Sequence, residues 1–220
     1  MRKFLYENSL TLVLIAITLA TLAGHALTAW HQFNEEQRDF HQPVLNLACY
    51  LTTGHYIESV FENWESEFLQ MGAYVALTIW LRQKGAADSK SIDGSEEEVD
   101  REPDPNRPGA PGPVRRGGWV LALYRRSLTI AFFSLFAASF FLHAYGTARN
   151  HNHEEFLKGK VAHETTISIL SSSEFWFQSL ENWQSEFLSV ATLIVLSIFL
   201  RQHGSPESKP VDAPHDETGE

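Results

Sequence analysis

Four ionisable side chains sit where an apolar chain can least tolerate them: His25 and His143 inside long hydrophobic runs, and Glu67 and Glu186 at the head of two shorter ones. The two acids belong to nearly the same phrase, Phe61-Glu-Asn-Trp-Glu-Ser-Glu-Phe68 and Leu180-Glu-Asn-Trp-Gln-Ser-Glu-Phe187, written twice 119 positions apart. Asn63 and Glu67, like Asn182 and Glu186, are spaced to share one helical face. At 1.5 Å of rise per residue, His25 lies roughly 25 Å above Asn8 and Glu67 roughly 22 Å above Arg82, so all four side chains fall at a similar depth. Ionisable groups at such depth face a bundle interior and pair with one another. A polar pocket of Glu67, Glu186, His25, His143, Asn63 and Asn182 is therefore expected.

Several uses of that pocket compete. Paired carboxylates beside imidazoles can relay protons in a small transporter or ion channel. Two His and two Glu suit a divalent metal by ligand type, and facing histidines can clasp a haem. The simplest use is structural: the acids bond Trp, Asn or His side chains and lock helix register. His151-Asn-His153-Glu154-Glu155 adds a short tract of metal-binding composition, but one such tract is weak evidence. No phosphate loop, dinucleotide fingerprint, zinc-protease motif or nucleophile elbow is present, and Cys49 is a lone cysteine with no His/Asp set to activate it. The chain reads as a non-enzymatic protein with no cofactor firmly implied.

The elements that must position these residues are membrane helices. Ser9 to Trp30 and Ser127 to Tyr145 are apolar runs of the roughly 20 residues that cross a hydrocarbon core. Arg2 and Lys3 give the first run a signal-peptide flavour, yet its relative lies mid-chain, so both are read as retained spans. Phe68 to Leu81 and Phe187 to Leu200 are shorter; extending each helix back to Trp64 or Trp183 supplies the missing length and sets a Trp at the interface. Each ends in Leu-Arg-Gln-x-Gly, which makes Arg82 and Arg201 the opposite anchors. Helices are predicted at about 8–30, 57–83, 122–147 and 175–202.

With four crossings, all of the 17 Lys and Arg except Arg38, Arg149, Lys158 and Lys160 fall on the side of the termini. The positive-inside rule then puts both termini in the cytoplasm of an inner, cytoplasmic membrane. The net charge of -10 does not oppose this, because acidic residues contribute little to orientation. Residues 1–84 and 119–203 form two tandem, parallel-oriented two-helix repeats. The pieces around Pro43–Tyr50 and Thr165–Leu170 are expected as short interfacial helices. Residues 85–118, with Glu96-Glu97-Glu98 and five prolines, and 204–220 read as a disordered linker and tail.

At the paired Glu-Asn-Trp-x-Ser-Glu-Phe and Leu-Arg-Gln-x-Gly motifs, the chain resembles a family of small bacterial integral membrane proteins known only as a domain of unknown function. The resemblance covers both halves and implies a membrane protein, with no catalytic residue to carry over. The partners expected are the lipid bilayer and either another protein or further copies of the chain, and no nucleic acid.

Overall fold

The protein is all-helical. The computed structural model describes residues 2–92 and 98–219, so Glu96 and Glu97 of the acidic run lie outside the described residues. Helices α1 (Arg2–Glu7), α2 (Ser9–Asp39), α3 (Leu47–Tyr50) and α4 (Gly54–Leu77) come first. A 3₁₀ turn at Glu98–Asp100 and short helices α5 (Gly112–Arg116) and α6 (Gly118–Tyr124) follow. The chain closes with α7 (Ser127–Leu157), α8 (Thr166–Ile169) and α9 (Ser173–Phe199). No strand occurs among the described residues.

Three helices, α2, α7 and α9, are long and apolar enough to cross a membrane. Their apolar side chains stand open: Leu10, Val13 and Ile17 of α2 and Leu188, Leu193 and Val195 of α9 are all exposed. Such continuous bare surface is penalised in water and matched by lipid. Helix α4 has the length but not the composition, because Glu58, Glu62, Glu65 and Glu67 interrupt its first half. It also stops at Leu77, short of the predicted end, while α2 and α7 run on past the apolar runs for another two turns or more.

The chain divides into two compact units, Met1–Phe61 with Phe141–Phe175, and Glu62–Phe140 with Trp176–Glu220. In the first, Ala29, Phe33 and Tyr50 form a small core flanked by Trp30, Leu45, Leu47 and Tyr56. Asn34 holds the descending chain by bonding both backbone groups of Leu45, donating to its carbonyl at 2.9 Å and accepting its N–H at 2.7 Å. Asn152 does the same to Glu164, at 2.7 and 2.8 Å. Helix α3 is capped by the side chain of Asn46, and α8 by a reciprocal capping box between Thr165 and Ser168.

Both long helices end through a left-handed residue that lets a later N–H reach back into the last turn. His41 (φ 56°) does this for α2, with Gln42 N–H on Gln37 O at 2.7 Å. Gly159 (φ 72°) does it for α7, with Lys160 N–H on Glu155 O at 2.8 Å. Where α4 starts, Gly146 of α7 packs directly on the backbone of Glu58, and Gly54 on Arg149, Asn150 and Gly146. A side chain at either glycine would collide with main chain, which cannot step aside cheaply.

In the second unit the residues following α4 and α9 fold into matching hooks, although both segments read as disordered in the sequence. Gln83 N–H donates to Ser89 Oγ and Gln202 N–H to Ser208 Oγ, each at 2.9 Å. Arg82 Nε donates to Ser91 O, and Arg201 Nε to Pro210 O. Lys209, only 3 % exposed, delivers its ammonium to the carbonyls of Pro214, His215 and Glu217. These cations answer main-chain carbonyls of the hooks themselves, which no helix or sheet partner satisfies.

Two substitutions of opposite sign test this packing. His41→Gly should stabilise by about 1 kcal/mol by removing left-handed strain from a Cβ-bearing residue. Gly146→Ala should destabilise by about 1–3 kcal/mol through overpacking. Thermal unfolding in detergent reads both; equal and negligible shifts would contradict the described backbone contacts.

Candidate functional site

Helix α4 presents its polar residues at positions 58, 62, 65, 66 and 70, a 3.6-residue period that gathers them on one side. Glu65 on this side is fully buried, with Ser66 and Gln70 beside it. Trp183 Nε1 of α9 donates to Glu65 Oε1 at 3.2 Å, and Asn182 Nδ2 donates to Glu62 Oε1 at 2.6 Å. The two Glu-Asn-Trp segments therefore meet, acids of the first against donors of the second. A ring of aromatics surrounds the contact: Trp183 lies 6.1 Å from both Phe136 and Trp176, and Phe140 lies 6.2 Å from Trp176.

Glu67 lies 200° around the helix from Glu65 and is exposed, as is Asn63 on the same face. Glu186 is partly buried and within range of the charge on Glu67. Of the residues singled out from the sequence, Asn182 and Trp183 bond acids that the sequence reading passed over. Trp64 is 37 % exposed and meets the ring of Phe68. Arg201 binds the carbonyls of Ser197, Ile198, Leu200, Pro210, Ala213 and Pro214, which makes it the cap of α9. Among the described residues Arg82 makes two such bonds, to Trp80 and Ser91.

The histidines belong to the first unit. His25 is half-buried with its ring 5.9 Å from Tyr56, and His143 is fully buried with its ring 4.7 Å from Phe175. Each thus meets, in a tilted arrangement, the aromatic residue near the start of a shorter helix. The His151–His153 tract splits rather than converging: His151 Nδ1 pairs with Glu174 at 3.0 Å, while His153 turns to Gln37. Among the described residues no three His, Cys, Asp or Glu side chains come together as a metal would need.

A second polar cluster was not foreseen. Phe33 packs between His55, His153 and Tyr50, with ring centroids 5.4–5.5 Å apart. Tyr50 Oη lies 3.0 Å from His55 Nδ1, and Gln37 Nε2 lies 2.5 Å from His153 Nε2. An amide nitrogen can only donate, so the His153 ring accepts and is neutral. Burial holds both imidazoles below the usual histidine range, against the opposing charge of Glu36. Burial likewise raises the Tyr50 hydroxyl, which therefore remains a donor. The signal available in the sequence was the spacing of Phe33 and Gln37 on α2, hidden because a helix reaching Asp39 was not expected.

The family can now be stated. The chain belongs to the family described as a domain of unknown function (DUF6766), whose model matches residues 1–220. No curated protein matches the chain, and no solved structure does.

The titration of the histidine cluster has a definite sign. Below pH 6.5 the unfolded chain binds protons that folded His55 and His153 refuse, so stability is lost as pH falls through that value toward the lowered folded ones. Unfolding midpoints measured from pH 8 to pH 5 should fall with acidity. The slope should flatten in His55→Gln with His153→Gln. An unchanged slope would mean that other groups carry it.

Proposed function

We propose that this is a four-crossing protein of the cytoplasmic membrane, built from two tandem, parallel-oriented two-helix hairpins. Its role is non-enzymatic, as a structural or interaction element of the cell envelope. The observation that carries this reading is the pair of bonds Glu62–Asn182 and Glu65–Trp183. They engage Glu65, the most buried acid of α4, and the partly buried Glu62 as acceptors that fix helix register, the use in which such acids need no substrate.

The same bonds support α4 as the fourth crossing. Its 24 residues give roughly 36 Å of helix, enough for a hydrocarbon core. Its acids disqualify it by composition alone, but two of them are matched by donors on α9, which reduces their cost in lipid. The duplicated design is supported by features recurring 118 or 119 positions apart: the asparagine clamps Asn34 and Asn152, the left-handed residues His41 and Gly159, the caps Asn46 and Thr165, and the hooks with Ser89 and Ser208. The orientation rests on the basic residues around the hooks and linker.

A second reading, passage of protons or ions, draws on Glu67 and Glu186, whose charges act on one another. It requires a flux in proteoliposomes that disappears in Glu67→Gln with Glu186→Gln.

Cys49 is the single cysteine and is exposed, which makes topology directly testable. A membrane-impermeant thiol reagent should label Cys49 in intact cells, and should label Pro108→Cys in a Cys49→Ser background only after permeabilisation. Labelling of Pro108→Cys in intact cells would mean that α4 does not cross. For the pinning role, Glu65→Gln and Trp183→Phe should each cost about 1–3 kcal/mol in detergent, with the double variant costing less than their sum. Strict additivity would sink it.

A further inference from the structure

Between the second half of α4 and α9 lies a cavity of about 330 Å³. Its walls are largely apolar, from Leu77, Leu81, Phe187, Val190, Ala191 and Ile194. At one end the lining changes character, where the turn after α4 contributes Arg82, Gln83, Asp88 and Ser89. Gln70, Tyr74 and Thr78 add neutral polar groups along the α4 wall, but both charged residues of the lining, Arg82 and Asp88, belong to that one end. A largely apolar chamber with its charges at one end is shaped for an amphiphile.

The rim is a built structure. Gln83 N–H donates to Ser89 Oγ at 2.9 Å, Gly85 N–H to Thr218 Oγ1 at 2.8 Å, and Gly219 N–H to Ala86 O at 3.1 Å. Ala86, which lines the cavity, is only 3 % exposed. The tail thus braces the loop that carries the two rim charges. Those charges are opposite in sign. Asp88 makes no ion pair among the described residues. Among the described residues Arg82 donates through Nε and Nη1, whereas Arg201, in the matching hook, also commits Nη2, to Ala213 and Pro214. The first hook therefore retains a guanidinium arm that the second does not.

In the four-crossing reading, on which this inference rests for the depth of α4, the cavity lies at acyl-chain level and Arg82 at headgroup level of the cytoplasmic leaflet. The rim charges select among headgroups. A net-anionic lipid gains Arg82 but meets the repulsion of Asp88. A choline headgroup has no N–H to offer a carboxylate. A primary ammonium can donate to Asp88 while its phosphate accepts from Arg82, and both bonds are charge-assisted. We propose that this groove binds one zwitterionic phospholipid bearing a primary amine headgroup, with an acyl chain against Leu77, Val190 and Ile194, phosphate on Arg82 and ammonium on Asp88.

Native mass spectrometry of the full-length protein, released from detergent after equal exposure to dioleoyl phosphatidylethanolamine, phosphatidylcholine and phosphatidylglycerol, tests this. The wild-type protein should retain one phosphatidylethanolamine, about tenfold over the other two. Asp88→Asn should erase the preference for amine over choline, and Arg82→Gln should weaken retention of both zwitterionic lipids. Ala191→Trp should fill the chamber and abolish retention with both rim charges intact. Should that variant not fold, the selectivity change in Asp88→Asn decides alone. Equal retention of all three lipids, a preference for phosphatidylglycerol or a free fatty acid, or selectivity unchanged in Asp88→Asn would overturn the assignment. The cysteine-labelling pattern fails independently if the topology is wrong, so the two failures can be told apart.

Discussion

A buried carboxylate between apolar helices is stable only with a donor in reach, and the second unit is organised around that requirement. Glu65 has no exposure to solvent and takes the indole N–H of Trp183; Glu62, a turn earlier, takes the amide of Asn182. Neither bond is strong by itself. What gives them weight is the cost of breaking them, since an acid left unpartnered in such surroundings loses its full solvation without return. Sliding α4 against α9 by one residue would break both bonds at once. Satisfaction of buried polar groups is nearly complete elsewhere too: Ser179 Oγ is the buried side-chain atom recorded without a partner among the described residues.

The same accounting explains how the helices end. An apolar helix leaves open carbonyls at its C-terminus, and near a membrane they need dedicated partners. Here left-handed residues at His41 and Gly159 return later N–H groups to the last turns of α2 and α7, and the guanidinium of Arg201 takes the carbonyls of Ser197 and Ile198 in α9. Lys209 illustrates the principle well. Its ammonium is buried yet bonds three carbonyls, so a residue that composition marks as solvent-seeking becomes the centre of a turn. Arg201, just past the end of α9, caps that helix.

The comparison of matching positions separates constraint from drift. Asn34 and Asn152 make the same two-way clamp, while His55 and Glu174, 119 positions apart, face different chemistry: a tyrosine hydroxyl in one case, the imidazole of His151 in the other. Phe33 and His151 likewise occupy corresponding places, one an aromatic core residue and the other the hydrogen-bond partner of Glu174. Similar backbone therefore carries an aromatic–histidine cluster in one case and a histidine–carboxylate contact in the other.

Residue type and order alone established the helical class, the apolar runs of α2, α7 and α9, the twice-written motifs, and the family resemblance. These follow from local properties, since hydropathy and period need no knowledge of neighbours. Which acid mattered did not follow. Glu67 stood out because Glu186 repeats it, whereas Glu65 has Gln184 at its matching place and was passed over; only the packing of α4 on α9 shows that Glu65 is the enclosed one. The hooks were missed for a related reason. Asp88-Ser89-Lys90 and Glu207-Ser208-Lys209 look like linker by composition, and their worth appears only when the folded turn brings hydroxyl and ammonium to main-chain groups several residues away. Composition sets what a segment can bury, but which atoms find partners is settled by three-dimensional proximity.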